Sequence, residues 1–132
     1  MDSSDNNRDT KIPIRLTVGS ELEPVECDGF YSEIADGFVL EFSTGEDRYE
    51  IRHASGETSL FACGLMTYRI NFGGVGETSV STPFGELNFT VAPRSCDIER
   101  GDGVLTVVLS YSLSDGMQTI ERSVNVAARF LN

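Results

Sequence analysis

The residues of this chain best equipped for nucleophilic or metal chemistry are one histidine, His53, and three cysteines, Cys27, Cys63 and Cys96. A histidine activates a serine or cysteine only when it lies within hydrogen-bond reach and a third group orients it. Nothing close to His53 in sequence supplies that arrangement, and the Gly-x-Ser-x-Gly nucleophile elbow is absent. The cysteines are odd in number and show no Cys-x-x-Cys spacing, which argues against a Cys/His zinc site within one chain. No catalytic residue, metal or cofactor is expected. His53 is read as a barrel-wall or barrel-end histidine that points inward if it shares the face of Tyr49 and Ile51.

Other motifs fail on chemistry. Gly73-Gly74-Val75-Gly76-Glu77-Thr78-Ser79 imitates a phosphate-binding loop, but such a loop needs a lysine before the hydroxyl residue and a helix after it. Glu77 stands in the lysine position and would repel phosphate, so the segment is expected to be a hairpin loop. Paired carboxylates could perform glycoside hydrolysis. With 21 acidic residues, however, some pair always has a suitable spacing, so the pattern selects nothing. Glu46-Asp47 lacks the regular oxygen spacing of a calcium loop. Asn88-Phe89-Thr90 matches a glycosylation sequon that a cytoplasmic chain never presents to the modifying enzyme.

The 132 residues fit one domain. A globule of that size buries roughly two-thirds of its unfolded-chain surface and needs no staple. The formal net charge is −11, with one lysine, Lys11, and scattered arginines. That balance excludes the clustered cations of nucleic-acid binding and disfavours anionic membranes. Residues 1–10 are polar, without a basic start or apolar core, and are expected to be a disordered tail rather than a secretory signal. Free buried thiols and a reducing cytoplasm follow as expectations.

From Ile12 onward, glycine-containing pairs recur about every ten residues, as in Asp36-Gly37, Ser55-Gly56, Asp102-Gly103 and Asp115-Gly116. Between them the sequence alternates with period two. Leu105, Val107, Leu109, Tyr111 and Leu113 share one face. Ile12, Ile14, Leu16 and Val18 do the same, as do Phe38/Leu40/Phe42, Tyr49/Ile51/His53, Met66/Tyr68/Ile70/Phe72 and Leu87/Phe89/Val91. One buried face per strand marks antiparallel sheets. The expected fold is all-β: a single antiparallel, mostly up-and-down barrel of about 8–10 strands spanning residues 11–132, because open edges would invite aggregation. A sandwich is the alternative.

Gly29-Phe30-Tyr31, Phe38-Val39-Leu40-Glu41-Phe42, Arg69-Ile70-Asn71-Phe72, Thr82-Pro83-Phe84-Gly85-Glu86-Leu87 and the stretch from Gly103 to Leu113 form a set of segments. Together they resemble the YwiB-like family of uncharacterised bacterial proteins. The resemblance runs from Ile14 to Phe130. It implies a lipocalin-like (calycin) barrel and carries no activity, cofactor or site residues. Val80 departs from the pattern, which often has an aromatic residue there.

A barrel of this size either fills its interior or holds one small ligand. The inward faces offer Tyr31, Phe42, Tyr49, His53, Tyr68, Phe89 and Tyr111 as candidate ligand-binding residues. Arg122 joins them because it falls on the row of Ile120 and Val124, where a barrel-mouth charge or a bulge would also explain it. The expected function is therefore non-catalytic binding of a small apolar or amphipathic molecule. The alternative is a solid barrel acting as an interaction module, including as a homodimer through Val75 to Val80 or the mixed face of Val104, Thr106 and Val108.

Overall fold

The structure, a computed structural model, describes residues 12–18, 25–45, 47–64 and 66–130. The tail expected over residues 1–10 lies outside the described residues. Ten strands follow in chain order: β1 Ile12–Val18, β2 Val25–Ile34, β3 Gly37–Thr44, β4 Asp47–Ala54, β5 Glu57–Cys63, β6 Tyr68–Asn71, β7 Gly76–Thr82, β8 Gly85–Gly101, β9 Val104–Ser114 and β10 Thr119–Phe130. Every pairing is antiparallel, and β1 pairs with β10, giving the order β6-β5-β4-β3-β2-β1-β10-β9-β8-β7. The expected up-and-down barrel is thus present.

Closure is weakest where the two ends of the sheet meet. Between β6 and β7 there is one bridge, Thr67 to Ser81, with both backbone hydrogen bonds at 3.0 Å. Among the described residues the one other hydrogen bond across this seam runs from Thr78 Oγ1 to the Arg69 carbonyl at 2.9 Å. Gly73, Gly74 and Val75 form the turn between the two strands; the sequence predicts a loop over Gly73 to Ser79, but Gly76 to Ser79 belong to β7.

The turns fall at the glycine-containing pairs. At Ser55-Gly56 both residues have positive φ, 55° and 79°, the pair of values that matches hairpin twist. Inward rows bury the core: Leu16, Leu40, Ile51, Leu60, Val107 and Leu109 are fully enclosed. Outward positions on the same strands carry Arg15, Asp28, Glu41, Glu50 and Arg52. The period-two alternation therefore sorts apolar from polar side chains as sheet geometry requires.

Strand β8 departs from the sequence expectation. Alternation identifies a strand as far as Val91, yet β8 continues to Gly101 and passes a register shift between Pro93 and Ser95. The extra residue at Arg94 reverses parity. Before it, Phe89 and Val91 face inward; after it, Ile98 and Arg100 pair with Val107 and Leu105 and join the inward row. Leu87, expected on the inward face, is 52% exposed because it lies beside the terminal turn of the hairpin.

Candidate functional site

Side chains at opposite ends of β3 and β4 divide the candidate residues into two groups. At one end Phe42 stacks on Tyr49, with ring centroids 5.3 Å apart. At the other Phe38 lies 5.6 Å from His53, with Leu40 and Ile51 between the two pairs.

The first group forms the mouth. Tyr49, Tyr68, Ala62, Cys63, Met66, Asp47 and Arg122 line an open recess of about 240 Å³. Behind the recess, and outside its lining, the Tyr111 hydroxyl meets that of Tyr68 in a buried pair 2.9 Å apart. Tyr111 also meets Phe72 edge-on at 5.9 Å. Arg122 pairs with Tyr111 in the β9–β10 ladder, so it shares the inward row, yet it is exposed. This is the barrel-mouth charge that the sequence allowed. No ion pair neutralises Arg122 among the described residues.

Electrostatics tie these groups together. Burial pushes the Tyr111 phenol well above its ordinary range, helped by Tyr68, while the positive charge of Arg122 opposes the shift. Burial also raises Tyr49, reinforced by Asp47 and opposed by a hydrogen bond with Thr44 and by Arg122. The phenols consequently remain neutral hydrogen-bonding groups at neutral pH, beside a permanent guanidinium cation.

The second group closes the far end. Arg100 lies over the rings of Tyr31 and Phe130, 5.2 and 5.8 Å from their centroids, and donates to the Tyr31 hydroxyl. Tyr31 and Phe130 meet edge-on at 4.9 Å. His53 Nδ1 is 2.7 Å from Thr58 Oγ1 across the tight turn, and Thr58 is buried. No carboxylate contacts the imidazole among the described residues.

The structure thus brings Phe42, Tyr49, Tyr68, Tyr111 and Arg122 together and places Tyr31 and His53 elsewhere. Phe89 is buried opposite Thr78 and makes no ring contact with either group among the described residues. The sequence did not single out Arg100, because only the parity change at the bulge puts it on the inward row. Met66 had a sequence signal, the alternation with Tyr68 and Ile70, but no polar group to mark it. Of the expected buried thiols, Cys27 and Cys63 are half-buried and Cys96 is exposed. Burial, with Asp28 beside it, pushes the Cys27 thiol up. No group of three or more His, Cys, Asp or Glu able to hold a metal occurs among the described residues.

Comparison with solved structures gives one informative likeness. The fold is similar to that of the ywiB protein from Bacillus subtilis. The two superpose with a TM-score of 0.71 over 99% of this chain and 100% of that one, at 14% sequence identity. At that identity the likeness concerns the fold. No family model matches the chain, and no curated protein matches it.

Proposed function

We propose that this protein is a non-catalytic binding barrel that takes a small amphipathic molecule at its open end. The observation that carries the proposal is the convergence of Tyr49, Tyr68, Met66 and Arg122 on a recess of about 240 Å³. Apolar side chains with a few polar groups among them are the usual composition of a small-molecule site. The recess falls below the ~300 Å³ of drug-sized pockets, which favours a small ligand. Because the barrel centre is packed by its own side chains, the ligand sits at the mouth rather than deep within the wall.

The proposal extends to membership of the YwiB-like family, with its lipocalin-like character and bacterial origin, and to a cytoplasmic location. In support of a water-facing exterior, the outward rows carry charge and the inward rows are apolar, the inverse of a membrane barrel. No helix among the described residues is long and apolar enough to cross a membrane. With a net charge of −11, nucleic acid remains an unfavourable partner.

A second reading has its own observation. Fully buried Leu40, Ile51, Leu60 and Leu109 leave the centre solid, which suits a barrel that works through its surface, alone or as a homodimer. Native mass spectrometry of protein purified gently from its host separates the two. A small-molecule adduct that disappears on denaturation is expected. Bare monomer or dimer would favour the solid barrel.

A further inference from the structure

We infer that the ligand of the open end is a monoanionic carboxylate with a short apolar body, its carboxylate held by Arg122. The inference rests on the mouth being a ligand site and adds the chemical class of the ligand.

Arg122 is the starting point. It occupies a position where the alternation of β10 calls for an apolar side chain, between Ile120 and Val124 on the inward row. The guanidinium lines the recess at the barrel mouth, and no carboxylate of the described chain pairs with it. Arg15, Arg94 and Arg129 on the outward face each have a carboxylate within 4.0 Å; Arg122 differs from the other arginines without an ion pair in lining this recess. Asp47 also lines the recess but makes no ion pair with Arg122. A planar guanidinium offers parallel N–H donors that match a carboxylate in two-point contact. The Tyr49 phenol, which lines the same recess, can add a hydrogen bond to the anion.

Charge selects among anions. One guanidinium supplies one positive charge, and the chain as a whole carries −11. A phosphate dianion would meet Asp47 at close range without a second cation or a nest of backbone N–H groups to offset it. A carboxylate brings one negative charge and the geometry that one arginine satisfies. The apolar body then lies on Met66, Ala62 and the Tyr49 and Tyr68 rings, in a space too small for a long acyl chain.

The test compares hexanoate with hexanol and hexanamide by titration calorimetry, with the Met66 methyl resonance reporting where each binds. Wild-type protein is expected to bind hexanoate at least tenfold more tightly than either neutral analogue. Arg122→Gln should abolish that preference while leaving hexanol binding unchanged, and Arg122→Lys should retain part of it. Because Arg122 is exposed, these variants keep the fold, and an unchanged melting temperature checks this. Equal binding of hexanoate and hexanol at Met66 would overturn the carboxylate inference and leave the mouth as a ligand site. If none of the three compounds moves Met66, both the inference and the mouth as a site for short amphipathic molecules fail.

Discussion

The hydroxyls of Tyr68 and Tyr111 lie 2.9 Å apart inside the barrel, though 43 residues separate them in sequence. Each is the other's hydrogen-bond partner at a depth where solvent cannot substitute. Removing one hydroxyl therefore strands the other. Tyr111→Phe is expected to lower stability by about 1–3 kcal/mol, the range for a buried group left unpaired. The Tyr68→Phe/Tyr111→Phe double variant should lose less than the sum of the single losses. Urea denaturation of the four proteins measures this, and strict additivity would show that the pair is uncoupled.

The same burial sets a pH dependence. Tyr111 has its folded-state pKa raised, so the unfolded chain gives up its phenolic proton first. The stabilisation is complete below about pH 10, the ordinary tyrosine value, and is lost as pH rises beyond it. Tyr49 shifts in the same direction. The urea midpoint should fall above about pH 10 in wild-type protein, and fall less steeply in Tyr111→Phe.

The barrel itself was legible in the sequence because its signals are local. Turn pairs such as Ser55-Gly56 and alternating runs such as Leu105 to Leu113 each carry their meaning within ten residues. The candidate site was legible in part. Tyr49, Tyr68, Tyr111 and Arg122 were identifiable as inward-row residues, but alternation gives a face and not a height along the barrel axis. Their separation from Tyr31 and His53 depends on strand stagger, which no single segment encodes. Arg100 was hidden by the one-residue insertion at Arg94, where parity reverses without a glycine to announce it.

Close backbone approach makes Gly37 intolerant of a side chain. A Cβ there would collide with the His53 carbonyl, which the β3–β4 ladder holds in place. Gly37→Ala should cost about 1–3 kcal/mol, as overpacking does. Gly74→Ala has nothing within 4 Å of its Cβ and should stay within about 0.5 kcal/mol of wild type. Thermal unfolding of the two variants compares them directly.

Among the described residues, the backbone of Asn71, Glu77 and Ser79 has no partner across the β6–β7 seam, where the strands meet at the Thr67–Ser81 bridge and the Thr78-to-Arg69 hydrogen bond. Hydrogen exchange should be fast at the seam-facing amides of Asn71, Glu77 and Ser79 and slow in the β9–β10 ladder around Leu109 and Val124. Comparable protection in both regions would mean that the seam is zipped in solution.

The central claim, that the open end receives a small molecule, is tested most directly by methyl NMR. The chain has three methionines, of which Met66 lines the recess and Met117, 94% exposed on the β9–β10 turn, lies outside its lining. Adding the small-molecule fraction of a host-cell extract should shift the Met66 methyl signal in a saturable way and leave Met117 in place. A Met66 signal that does not move, or moves together with Met117, would contradict a ligand site at the barrel mouth.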